Sequence, residues 1–148
     1  MKVFLDTNIL IFASINRSEY IRSIVKYIST NCDLLLSDYI IREYEKAING
    51  KKLEKYNCIN ILNTIFYERI ISSNDIKNLK IEIRDINDYQ VLYDAIKANA
   101  DILITNDKDF DDVTIDKPRI LSLQQFFKEF MQWVAYATFC FIIIVWDW

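Results

Sequence analysis

The chain has 148 residues, 52% of them hydrophobic, with one Gly, one Pro and a net charge of −3. That size and composition fit one domain with a real core and exclude a disordered chain or a loop-rich disulfide scaffold. Histidine is absent, which excludes Ser-His-Asp and Cys-His triads and the usual zinc sites, and carboxylates without histidine favour hard cations such as Mg²⁺ or Mn²⁺.

Lys2–Leu5, KVFL, reads as a short buried strand that runs into Asp6-Thr7-Asn8. Its apolar stretch is too short for a signal peptide, so a cytoplasmic protein is expected. Asn8 starts a helical run, ILIFAS. Ser18 is placed to cap EYIRSIVKYIST, whose Ile21, Ile24, Val25 and Ile28 share one face. DLLLS at 33–37 reads as a second buried strand, and Ser37 as the cap of DYIIREYEKAIN. Gly50 follows where a left-handed residue would end that helix. Leu53, Tyr56, Ile59 and Leu62 recur at helical spacing and predict a helix over 51–66. RIIS at 69–72 and KIEI at 80–83 are short strand candidates. A further helix is expected from Asp88 to Asn99, then the strand ILIT at 102–105, a last short strand at 118–121, and Ser122 capping LQQFFKEF.

Short apolar strands alternating with helices predict a parallel sheet covered on both faces, an α/β fold. Ligands of such sheets bind beyond the carboxyl ends of the strands. Two strands end there in hydroxyl-plus-acid segments, Asp6-Thr7-Asn8 and Thr105-Asn106-Asp107. Glu43 and Glu45 lie early in the helix that follows the second strand, and Asp85 and Asp88 lie before and at the start of the 88–99 helix. Carboxylates gathered in one pocket repel one another and raise one another's pKa, which a divalent cation reverses. The natural partner of Asp6 is therefore a metal ion.

The segments LDTN, S-x-x-I-I-x-E-Y, R-D-x-x-D and A-D-I-L-I-T-N-D-K-D-F, in this order and spacing, resemble the PIN-domain ribonucleases, above all the toxins of toxin–antitoxin pairs. The resemblance covers roughly residues 1–128. It implies a three-layer fold with strand order 3-2-1-4-5 and Mg²⁺- or Mn²⁺-dependent cleavage of RNA, leaving a 5′-phosphate. Asp6, Glu43, Asp88 and Asp107 match the metal-binding acids. Thr7, Asn8, Thr105 and Asn106 are supporting residues that would hold those acids, a water or a phosphate oxygen. An antitoxin protein is the implied partner. Asn99 and Asn106 stand where the family often has Gly, and Asn tolerates the left-handed backbone.

Each residue also has a plainer reading. Asp6 alone reads equally well as a helix cap. Glu45 competes with Glu43, Asp85 with Asp88, and Asp109 is the substitute for Asp107. Asp111, Asp112 and Asp116 read as a solvated acidic loop, and Lys51, Lys52 and Lys55 as a wet helix face, with phosphate tracking as the alternative. Two other functions compete. A catalytically silent module that keeps the fold to bind partners would be expected to lack one of the four acids, and all four are present. A haloacid-dehalogenase-like phosphatase needs a second acid two residues after its nucleophile, where this chain has Asn8.

The three cysteines, Cys32, Cys58 and Cys140, are odd in number and widely spaced, and read as reduced core thiols. Residues 129–148 are expected to form an apolar C-terminal extension beyond the 1–128 domain, since 130–146 carry no charge. Packing on the domain or across a homo-oligomer is the favoured reading of this tail. A membrane anchor and a terminus foreign to the fold are the others.

Overall fold

The computed structural model describes residues 1–15, 19–72 and 86–132. The candidate strand at 80–83, Ser18, Asp85, Cys140 and most of the apolar tail lie outside them. Five strands form one parallel sheet: β1 (Lys2–Leu5), β2 (Asp33–Ser37), β3 (Glu68–Ile70), β4 (Ile102–Ile104) and β5 (Arg119–Leu121), in the order β3-β2-β1-β4-β5. The fold is the α/β fold that the alternation of strands and helices predicts, with strand order 3-2-1-4-5.

The central strands read as unbroken apolar runs because both of their faces are covered. Val3, Phe4 and Leu5 of β1 and Leu103 and Ile104 of β4 are fully buried. The edge strand β3 is short, and its Glu68 and Arg69 are exposed, which discourages pairing with a further strand. Around the sheet lie α1 (Thr7–Ser14), α2 (Glu19–Asn31), α3 (Asp38–Ile48), α4 (Lys51–Glu54), α5 (Ile86–Lys97) and α6 (Leu123–Phe126). α1 packs against α2 and α3, and α5 reaches α3.

The caps fix where the helices start. Ser37 Oγ accepts the Ile40 N–H at 3.4 Å at the head of α3. Ser122 and Gln125 form a reciprocal capping box at the head of α6, which continues as a π-turn over Phe127–Met131. Met131 is buried, and the Phe130 ring lies 4.9 Å from that of Phe126.

Two local expectations are overturned. Residues 51–66 do not form one helix. Only α4 is α-helical, Asn57 turns the chain at φ 48°, and a 3-10 turn covers Ile61–Thr64. The reason is tertiary: the Ile59 N–H donates to Ser14 O at 2.9 Å and the Ile61 N–H to the buried Tyr44 hydroxyl at 2.9 Å. Those contacts replace helical hydrogen bonds. Gly50 is not left-handed either, with φ −80°. A Cβ there would meet the carbonyl oxygens of Ala47 and Lys46 at 3.2 Å, so the position favours the absence of a side chain rather than a positive φ. Asn99 does adopt the left-handed conformation, at φ 53°.

Candidate active site

Every parallel strand delivers its carboxyl end to the same edge of the sheet. β1 ends at Asp6, β2 at Ser37, β4 at Thr105-Asn106-Asp107 and β5 at Ser122. Because α5 runs back to the start of β4, its first turn, with Asp88, also lies at that edge. The helix begins at Ile86, two residues before the expected start, so Asp88 sits within the first turn instead of opening it.

Asp6 occupies the N-cap position of α1 but makes no capping hydrogen bond of normal geometry. Its Oδ2 instead accepts the Thr105 hydroxyl at 2.7 Å. Thr105 Oγ1 in turn accepts the Asp107 N–H at 3.0 Å, so one hydroxyl ties the ends of β1 and β4 together. Asp6 is 5% exposed. Burial pushes its pKa above the usual carboxylate range, and the neighbouring Asp107 adds to the rise; the Thr105 hydroxyl and the N–H groups of Asn8 and Thr7 oppose it.

The acids fall into two overlapping groups that share Asp88. Asp6, Glu43 and Asp88 line one cleft of about 220 Å³, together with Thr7, Asn8 and Tyr39. Carboxylate oxygens of Asp88, Asp107 and Asp109 lie within 4.8 Å of one another. Asp109, the weaker alternate in the sequence, thus stands beside Asp107, whose Oδ1 accepts the Asp109 N–H at 3.0 Å. Glu43 also sits 3.9 Å from Lys46 Nζ, an exposed i,i+3 pair. Its rival Glu45 is exposed and does not line the cleft.

Three carboxylates this close repel by on the order of 3 kcal/mol per ionised pair at an effective dielectric of 20. An all-oxygen donor set of this kind suits a hard divalent cation and no soft one. The residues therefore fit a Mg²⁺- or Mn²⁺-class ion on donor chemistry.

One contributor was not singled out from the sequence. Asp94 is 1% exposed in α5 and accepts Gln90 Nε2 and Ser72 Oγ, each at 2.8 Å. Ser72 Oγ accepts the Tyr39 N–H at 2.9 Å. This network ties α5 and the end of β3 to the first turn of α3, which carries Tyr39 and Glu43 into the cleft. The visible signal was a carboxylate set in the apolar stripe of Val91, Leu92 and Ala95.

Comparison with known proteins agrees with this geometry. Among solved structures, the chain is similar to VapBC2 from Rickettsia felis bound to a DNA fragment from their promoter, with a TM-score of 0.59 and 23% identity, covering 82% of this chain and 98% of that one. At that identity the likeness speaks for the fold. No curated protein matches. The PIN domain profile matches residues 2–109, well over half of the chain and the span from β1 to the carboxylates after β4. The chain belongs to the PIN domain family.

Proposed function

We propose that this protein is a metal-dependent endoribonuclease, acting as the toxin of a toxin–antitoxin pair in the cytoplasm. The observation that carries the reading is the gathering of acids from separate elements at one sheet edge, with Asp88, Asp107 and Asp109 oxygens within 4.8 Å and Asp6, Glu43 and Asp88 lining the adjoining cleft. Asp6, Glu43, Asp88 and Asp107 would hold Mg²⁺ or Mn²⁺, with Asp109 as a fifth oxygen donor. When bound, such a cation offsets the charge of the scissile phosphate and lowers the pKa of the attacking water.

The chain's own residues do the positioning. Thr105 fixes one oxygen of Asp6 and, through the Asp107 N–H, the backbone of the second acid. A buried carboxylate that is costly to ionise gains most from a cation, so Asp6 is the acid most tightly linked to metal loading. Thr7 and Asn8, at the cleft wall, are in place to hold a water or a phosphate oxygen.

The likeness to VapBC2 supports an antitoxin protein as partner. The apolar extension from residue 129 is proposed to pack on the domain or across a homo-oligomer. Among the described residues no helix is long and apolar enough to cross a membrane.

The test is cleavage of a generic single-stranded RNA by the purified protein. Cleavage that needs Mg²⁺ or Mn²⁺, stops in EDTA, leaves 5′-phosphates and is lost in Asp6→Asn supports the reading. Undiminished cleavage in EDTA, or none with either ion, overturns it.

A further inference from the structure

The carboxylates border two further hollows, and these carry opposite charge. On the β4–β5 side lies a cavity of about 370 Å³ that shares Thr105 and Asp107 with the acids. Asp107 and Asp111 line it, and no Lys or Arg does. On the other side of β1 lies a groove of about 550 Å³ between α1, α3 and α4. It shares Ile11, Glu43 and Ala47 with the cleft of Asp6, Glu43 and Asp88, so the two are continuous. Lys46, Lys51 and Lys52 line it, and Glu43 is the one acid among its described lining residues.

These lysines are available to a ligand. Lys46 Nζ lies 3.9 Å from Glu43 with its side chain 80% exposed, and an exposed pair at that distance holds its partners weakly. Lys51 and Lys52 are exposed at the start of α4, and among the described residues neither is in an ion pair. Ile11, Ala47 and Leu53 supply apolar wall. Just after α4, Lys55 Nζ lies 4.9 Å from the ring centroid of the exposed Tyr56. Cations that track phosphates, beside aromatic and apolar side chains that take sugars and bases, are how single-stranded nucleic acids are held.

An RNA strand carries a phosphate at every nucleotide, so a strand cut among the acids must lead at least one flank out past a neighbouring wall. The acidic cavity repels that flank and the lysine groove attracts it. We infer that the groove between α1, α3 and α4 holds one flank of the RNA strand, with Lys46, Lys51 and Lys52 on the phosphates next to the scissile one. The inference rests on the nuclease reading for the identity of the strand, and on the charge of the groove for the side on which it runs. Continuity with the cleft, rather than charge alone, favours the strand being cut over an acidic protein segment.

The test is the salt dependence of binding of a labelled single-stranded oligoribonucleotide, read by fluorescence anisotropy in EDTA. Each lysine on a phosphate contributes about 0.7 to the slope of log affinity against log salt. Lys51→Gln and Lys52→Gln should each lower the slope by about that amount, and the triple variant with Lys46→Gln by about three times as much. Lys97→Gln makes the same charge change at the far end of α5 and should leave the slope as it is. Melting curves confirm that each variant is folded. Slopes that do not fall in the groove variants, that fall equally in Lys97→Gln, or no RNA binding by the wild type at low salt would overturn the inference. Loss of an acidic protein partner with the RNA slope intact would overturn it too, and would give the groove to that partner. If the groove variants lose slope as expected but the wild type cuts no RNA with Mg²⁺ or Mn²⁺, the nuclease reading fails and the groove stands as an RNA-binding surface.

Discussion

The two ends of the sheet handle acids in opposite ways. At the amino ends of the strands, two acids meet positive charge. Asp101 lies 2.8 Å from Lys117 Nζ and accepts the Lys2 N–H at 2.7 Å, and Asp33 lies 3.8 Å from the N-terminal ammonium. At the carboxyl ends, most of the cleft acids meet one another: Asp88, Asp107 and Asp109 lie within 4.8 Å and Asp107 stands beside Asp6, while Glu43 keeps Lys46 at 3.9 Å and Asp38, on the rim, pairs with Arg69. The Lys117 contact lowers the pKa of Asp101, whereas burial raises that of Asp6. One end uses acids to hold strands in register with neighbouring cations. The other accumulates electrostatic cost that folding alone does not repay, and that cost is what a bound cation would relieve.

The largest expected effect is catalytic. Asp6→Asn or Asp107→Asn should lower metal-dependent RNA cleavage by at least about a hundredfold, beyond the 10–100-fold typical of outer-shell losses. Measured by single-turnover cleavage, a smaller loss would place those acids outside the chemistry. Thr105→Val comes next. It removes both the hydrogen bond to Asp6 and the acceptor for the Asp107 N–H, and about a 10–100-fold fall is expected. A Thr105→Ser variant that restores the rate would tie the effect to the hydroxyl.

Stability without metal should separate the two ends by the sign of their pH dependence. Asp6 has a folded pKa above its unfolded value near 3.9, so its contribution is fully present below that value and is lost as pH rises through the folded pKa. Asp6→Asn should therefore melt higher than the wild type in EDTA, by a gap that widens from pH 4 towards neutrality. Asp101 has a depressed pKa, so its contribution is present above pH 3.9 and is lost as pH falls through the folded pKa. Lys117→Met should lower the melting temperature at neutral pH and leave it unchanged in acid. The pair is half-exposed, so this is the smallest effect, about 2 °C or less. Gaps of the same sign at neutral pH, with both variants melting above the wild type or both below it, would break the comparison.

The sheet and the acids were legible in the sequence for a simple reason. A buried parallel strand is a continuous apolar run, and the acid that follows it stands out against that run, as Asp6 does after Leu5 and Asp107 does shortly after Ile104. Serines 37 and 122 announced their helices by hydrogen-bonding chemistry that is local. What failed was non-local. The spacing of Leu53, Tyr56, Ile59 and Leu62 mimics a helix, but Ser14 and Tyr44, distant in sequence, claim the backbone N–H groups of Ile59 and Ile61. Asp109 ranked behind Asp107 for the same reason: only the folding of the 3-10 turn over Lys108–Phe110 brings it towards Asp88. Asp94 carried a signal, a charge in an apolar stripe, but its partner Ser72 lies 22 residues away.

The central claim is that the carboxyl-end acids form a cation site and the amino-end acids do not. The most direct test is Mn²⁺ binding by calorimetry at neutral pH, comparing wild type with Asp6→Asn, Asp107→Asn and Asp101→Asn. At a Mn²⁺ concentration a hundred times the dissociation constant, binding would add about 2.7 kcal/mol of stability, so melting curves give a second readout. The account predicts binding by wild type and Asp101→Asn and severe weakening in the other two. Equal Mn²⁺ affinity in all four proteins, or no binding by the wild type, would contradict it.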